Sequence, residues 1–143
     1  RGVALWGNAT FLRTRVGDAG FQSGGGATFV HGGRLLRRPP RTLATGVRLQ
    51  RWQRTSLDLS TTYVAVRDDR DFSGFPAVPV QLPAYTRVDV GGEHALVTSG
   101  DFWRAVRVMV RVENAFAARV EEVANFPAPG RVLLVGLRVG TAP

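Results

Sequence analysis

The chain has 143 residues, a net charge of +8 and no cysteine, and every basic residue is an arginine. That length suits one ordinary domain, and the lack of cysteine excludes a disulfide framework and a thiolate metal site. The positive charge raises nucleic-acid binding as a class, but the arginines are spread along the chain with no nucleic-acid-binding motif, so no nucleic acid is expected as a partner.

No run of about 18 apolar residues exists, which excludes a transmembrane helix; membrane strands need only about 9–11 residues of alternation. Such alternation starts at once. Residues 2–13 put Val3, Leu5, Gly7, Ala9 and Phe11 on one face and Trp6, Asn8 and Thr10 on the other. Successive side chains of a strand point to opposite faces, so a period of two predicts a strand. Residues 42–50 set Leu43, Thr45, Val47 and Leu49 against Gly46, Arg48 and Gln50. Residues 56–67 set Leu57, Leu59, Thr61, Tyr63 and Ala65 against Asp58, Ser60 and Thr62. In 85–96, Val88, Val90 and Leu96 oppose Arg87, Asp89 and Glu93. The cleanest run is 105–113, with Val106, Val108, Val110 and Val112 opposite Arg107, Met109, Arg111 and Glu113. The last, 131–139, sets Leu133, Val135, Leu137 and Val139 against Gly136 and Arg138. Helical periodicity is almost absent. The pattern predicts an all-β protein, an antiparallel up-and-down meander of about six strands.

The links between runs differ in length. RWQRT and VTSGDFW are short, whereas 14–41, 68–84 and 114–130 are long. Short turns at one end and long loops at the other mark an outer-membrane barrel. Trp52, Phe102 and Trp103 lie in the short links, where an aromatic girdle would stand. Valines facing hydrocarbon avoid the cost of about 2–4 kcal/mol that a charge meets at mid-depth. The competing reading is a soluble antiparallel sheet packed on one face; the loop asymmetry and wide polar faces favour the barrel.

The C-terminal half then shows a family resemblance. LPAYTRVDVGGEHAL (82–96), VRVENAFAARVEEVANFPAPGR (110–131) and VLLVGLR (132–138) resemble the last three strands of TonB-dependent outer-membrane receptors. Pro83, Tyr85, Val88 and Asp89 match the first element of that pattern, and Glu113, Asn114 and Phe116 the second. Glu121, Glu122, Val123, Phe126, Pro127, Pro129, Gly130 and Arg131 match the third. GRLLRRPPRT (33–42) and VAVRDDRDF (64–72) are also similar to late barrel segments of the family. The loop wording is most similar to the vitamin B12 receptor branch, with ferric-siderophore receptors next.

This resemblance covers about residues 33–138 and implies that 1–143 is the C-terminal fragment of a larger transmembrane barrel, without plug domain or signal peptide. It implies a place in the cell outer membrane of a Gram-negative bacterium. The implied activity is active uptake of a scarce nutrient, cobalamin or a ferric siderophore, with no cofactor. The implied partners are the plug domain and remaining strands of the parent, the TonB energy-coupling complex acting through it, and outer-membrane lipid and lipopolysaccharide. The fragment alone is not expected to transport, since about six strands cannot close a barrel. Arg87, Asp89, Arg107, Arg111, Glu113 and Arg138 are the expected lumen-facing residues, meeting the plug through salt bridges and water-bridged hydrogen bonds. Two departures stand out. Val120 replaces a tyrosine, which predicts looser packing at the loop base, and the chain closes on VGTAP where the family has a terminal aromatic, which predicts poor membrane assembly.

The residues have their own logic beside that match. Asn114 and Phe116 end an alternation, and asparagine readily starts a turn through its side chain. Pro127, Pro129 and Gly130 stiffen and then bend the chain before the last run. In RLLRRPPR, Arg34, Arg37, Arg38 and Arg41 are the anion-binding candidates, because guanidinium forks grip phosphate bidentately. Asp68, Asp69, Arg70 and Asp71 are further outer-loop candidates for ligand or lipopolysaccharide. RDDRDF reads as a solvated loop whose acids are neutralised by Arg67 and Arg70, with too few oxygen ligands for calcium. His31 and His94 are isolated, so neither makes a zinc site, and GGG at 24–26 reads as flexible loop. There is no nucleophile elbow, and Glu121 and Glu122 are adjacent instead of opposed across a substrate, so no enzyme is expected. The alternatives are a soluble all-β module binding anionic polymers and a plug-less porin-like barrel.

Overall fold

A computed structural model describes residues 2–20, 28–52, 54–97 and 105–140. In chain order the strands are β1 (Gly2–Phe11), β2 (Arg41–Trp52), β3 (Thr55–Val64), β4 (Arg67–Asp71), β5 (Val78–Leu82), β6 (Tyr85–Val97), β7 (Ala105–Glu113), β8 (Glu121–Val123), β9 (Phe126–Pro127) and β10 (Val132–Gly140). The described residues form no helix. Six of the strands form one antiparallel sheet in the order β1-β2-β3-β6-β7-β10, and β4-β5 and β8-β9 are separate two-stranded pairs. Each predicted run is a strand of the large sheet. The four short strands lie within connections that the sequence reading leaves as loops.

Directly paired residues of neighbouring strands share a face, so the register sorts the side chains. One line across the whole sheet reads Leu5, Val47, Leu59, Val90, Val112, Leu133. The adjacent line, on the opposite face, reads Ala4, Arg48, Asp58, Gly91, Arg111, Leu134. A slip of one residue in any strand would mix the two faces, which is how the alternation specifies the register.

The aliphatic face has no described layer over it. Val135 and Leu137 are 68% and 70% exposed, and Val3, Leu5, Leu43, Leu57, Leu59, Val90 and Val110 are exposed as well. The chain exposes 10492 Å², whereas a compact monomer of 15.5 kDa exposes about 7,200 Å². The excess follows from one uncovered sheet. Most of the buried apolar side chains sit instead at the end with the long connections: Val16, Val64, Ala65, Ala77, Leu82, Val120 and Ala124.

Trp6 on β1 lies over Gly46 on β2, where any added β-carbon would overlap the indole ring. The ring covers backbone that a glycine leaves bare, an aromatic rescue across two strands. Trp52 ends β2. Phe102, Trp103 and the glycines at 24–26 lie outside the described residues.

Candidate functional site

The polar face carries a ladder of ion pairs. Asp58 on β3 accepts from Arg48 Nε at 2.6 Å. Asp89 on β6 takes Arg111 at 3.2 Å and Arg87 at 3.3 Å, and Arg111 also reaches Glu113 at 3.1 Å. Arg107 and Arg138 stand directly opposite each other on β7 and β10, an arrangement of like charges that destabilises a sheet. Glu93 offsets it by accepting from Arg107 at 2.7 Å and forming an ion pair with Arg138 at 3.6 Å. The register thus places Arg87, Asp89, Arg107, Arg111, Glu113 and Arg138 on one face and adds Arg48, Asp58 and Glu93. The exposed pairs among them contribute about 0–1 kcal/mol each; the main effect of the ladder is to match charge strand by strand. A hollow of 570 Å³ lies in this face, lined from all six strands by residues that include Trp6, Arg48, Ser60, Asp89, Met109 and Arg138.

Asp89 has a second task. Buried beneath the ladder, its other oxygen accepts the Asn114 backbone N–H at 2.9 Å. Asn114 has a positive φ of 51°, a region that asparagine tolerates. Its side chain accepts from the Ala118 N–H and donates to the Ala118 carbonyl, both at 2.8 Å. The expected turn at Asn114 is therefore made by the side chain clamping the backbone four residues on. Tyr85 donates its hydroxyl to Glu122 at 3.2 Å, and its ring centroid lies 5.5 Å from the Arg67 guanidinium carbon. Phe116, Phe126, Pro127, Pro129, Gly130 and Arg131 are exposed, and Pro83 is exposed ahead of β6. Val120 is buried and its carbonyl accepts the Ala128 N–H at 2.8 Å, so the valine packs the loop base where looseness was expected.

RDDRDF departs from its sequence reading as a solvated loop. Most of it is the strand β4, in which Arg67, Asp69 and Arg70 are buried, Asp69 to 1% exposure. Arg67 and Arg70 do not neutralise the acids. Arg67 donates to the Glu121 carbonyl and Arg70 to the Ala77 carbonyl at 3.1 Å. The partner of Asp69 is Arg37, whose Nε lies 2.8 Å from Oδ1, while Oδ2 accepts the Ala124 N–H at 2.8 Å. One carboxylate thus joins all three long connections. Burial would raise the Asp69 carboxyl, but hydrogen bonds from the Ala124 and Arg70 backbone and the Arg37 guanidinium outweigh it, and the group is held below the ordinary range. Asp68 accepts from Gln81 at 3.1 Å, and Asp71 accepts from Asn125 at 2.8 Å. Asp69 and Arg70 are thus internal parts of the loop assembly, at the wall of a hollow that Arg34 and Asp68 also line.

The other loop arginines behave differently. Arg13, Arg15, Arg34, Arg38 and Arg41 have no side-chain hydrogen bond or ion pair among the described residues. The segment carrying Arg13 and Arg15 is tied to the segment carrying the others. Leu12 N–H donates to the Pro40 carbonyl at 3.0 Å, Val16 N–H to the Gly33 carbonyl at 2.8 Å, and Leu35 N–H to Thr14 Oγ1 at 3.1 Å. Nothing in the local sequence marks Arg13 and Arg15, because their proximity to RLLRRPPR depends on those cross-links. The alternation did contain the signal for Arg48, Asp58 and Glu93, whose parity matches that of the other polar-face residues.

No protein-family model matches the chain, and no curated protein sequence matches it.

Proposed function

We propose that this chain is part of the barrel wall of a TonB-dependent outer-membrane receptor, which takes up a scarce nutrient such as cobalamin or a ferric siderophore. In this reading the aliphatic face meets lipid and the ion-paired face meets the barrel interior. The carrying observation is the aliphatic face itself, six strands wide and without a described layer over it. A soluble sheet of this kind needs a second layer on its apolar side. A strand of nine residues such as β7 is about 30 Å long and, tilted by about 45°, spans about 22 Å of height, close to the lipid-facing band of about 25 Å. Phe11 and Tyr63 sit on the apolar face at its loop end, where an interfacial girdle belongs.

The family is favoured by the work its motif residues do. Asp89 joins β6 to the end of β7, Asn114 sets the turn, and Tyr85 ties the start of β6 to Glu122. As wall alone, the chain performs no transport; the parent's remaining strands, its plug and the inner-membrane complex supply that.

The test compares two substitutions on β7, expressed within the full-length parent. Val108→Arg places a charge among Leu137, Val110 and His94 on the aliphatic face and is expected to cost about 2–4 kcal/mol and strip the protein from the outer-membrane fraction. Arg111→Gln removes the exposed pair with Glu113 and one of the two arginines beside the buried Asp89, which keeps Arg87 and the Asn114 N–H, and is expected to leave membrane yield within about twofold. Equal yields for the parent and Val108→Arg would sink the assignment of faces.

A further inference from the structure

We propose that Arg13, Arg15, Arg34, Arg38 and Arg41 form a phosphate-binding surface on the long-connection end, with Arg37 as its anchor instead of a member. The argument starts from a contrast within the chain. On the sheet, Arg48, Arg87, Arg107, Arg111 and Arg138 each have a carboxylate within 3.6 Å. At the loop end, two segments rich in guanidinium groups are cross-linked side by side, and among the described residues only Arg37 of these receives a carboxylate. The local acids are committed elsewhere: Asp18 to the Gly20 N–H, Asp68 to Gln81, Asp69 to Arg37. Those bonds hold the two backbone segments side by side, and like charges carried by neighbouring segments repel, so an anion received between them relieves that repulsion.

Arg37 explains how the surface holds its shape. It has a φ of 58°, a left-handed conformation unfavourable for a residue with a β-carbon. Two bonds hold it there, its N–H to the Asp68 carbonyl at 2.8 Å and its guanidinium to Asp69 at 2.8 Å. The middle of RLLRRPPR is pinned to β4, and the arginines on either side are left free. Phosphate fits such a surface better than a single carboxylate. It carries up to two charges and several acceptor oxygens, so it engages more than one guanidinium fork at once. Arg41 also closes the apolar face of β2, opposite Phe11. That position suits a lipid phosphate, while a soluble phosphate ester offers the same chemistry.

The test uses the full chain refolded in neutral detergent micelles, with circular dichroism as the check that variants fold. Pyrophosphate is titrated calorimetrically in one arm. In the other, phosphatidylcholine micelles with and without phosphatidic acid are compared. The native chain is expected to bind at least one phosphate probe, with affinity falling as salt rises. Arg13→Gln/Arg15→Gln/Arg34→Gln/Arg38→Gln is expected to bind about tenfold or more weakly, and Arg107→Gln to bind as the native chain does. Where the quadruple variant fails to fold, Arg34→Gln/Arg38→Gln replaces it, with about a threefold loss expected. Binding of phosphatidic acid alone assigns the surface to a lipid headgroup, and binding of pyrophosphate assigns it to phosphate in any carrier. No binding to either probe, or undiminished binding by the folded arginine variant, overturns the proposal. The pyrophosphate arm makes no use of the membrane reading, so either can fail without the other.

Discussion

Asp69 shows how much one side chain decides at the loop end. It gives one oxygen to Arg37 in the first long connection and the other to Ala124 in the third, from its own place in the second. Asp69→Asn keeps the volume but turns an amide NH₂ toward one of its two donors, the Arg37 guanidinium or the buried Ala124 N–H, at a cost of about 1–3 kcal/mol where the buried donor is left without an acceptor. Hydrogen exchange in detergent is expected to speed up at Ala124 in this variant, whereas Arg37→Ala leaves Ala124 protected. The pH dependence follows from the lowered Asp69 titration. A carboxylate whose folded pKa is depressed contributes stability fully above its ordinary value of about 3.9 and loses it as pH falls through the folded value. The stability gap between the native chain and Asp69→Asn, measured by urea titration, is therefore expected to stay constant from about pH 5 to 8 and to shrink below about pH 4. A gap that closes near neutral pH would point to another group. The sequence displays Asp69 among three neighbouring carboxylates, but nothing in its local pattern says which one is buried. Burial there depends on segments about 30 and 55 residues away.

At the scale of elements, the six long strands were legible because their alternation spans nine residues or more, most cleanly in β7, where four valines oppose Arg107, Met109, Arg111 and Glu113. RDDRD lacked any apolar face to declare it, so β4 read as loop; VPVQL does alternate, but its five residues are broken by Pro79. Residues 121–127 form strands only by pairing with each other in a three-residue and a two-residue piece, too short for periodicity to register. The pairing of β1 with β2 was equally hidden, since 28 residues separate the predicted strands. Their contact at Trp6 and Gly46 gives a test of register. Gly46→Leu puts a β-carbon where the indole lies, and a ring expelled from that position loses a cross-strand contact worth about 0.2–1 kcal/mol. With Trp52 and Trp103 replaced by phenylalanine, Trp6 fluorescence is expected to shift to the red in Gly46→Leu and to stay unchanged in Gly7→Ala, where the added carbon meets only ordinary contacts at 3.8 Å. The reverse order would mean that β1 pairs in a different register.

Among the described residues the six-stranded sheet has two open edges, because β1 pairs only with β2 and β10 only with β7. On each outer edge the backbone N–H and C=O groups that point away from the sheet have no described strand to receive them. In hydrocarbon each such group costs several kcal/mol, more than the exposed ion pairs of the polar face return. An open sheet with this aliphatic face thus needs further strands before it rests in a bilayer, and the wall reading assigns those strands to the parent. Another source is conceivable on geometry alone. Six is an even number of strands, so β10 of one copy runs antiparallel to β1 of the next, and copies of the chain would also extend the sheet with the same face outward. The two sources separate in one experiment. The chain is refolded into lipid vesicles alone, and again together with a polypeptide carrying the strands encoded ahead of it in the parent; trypsin is then added and mass spectrometry reads the arginine-rich strands. Under the wall reading the chain alone leaves β7 and β10 cleavable after Arg107, Arg111 and Arg138, and the mixture protects them. Protection of the chain alone, with cross-linked multiples of its own mass, would show a wall closed by copies and remove the need for a parent.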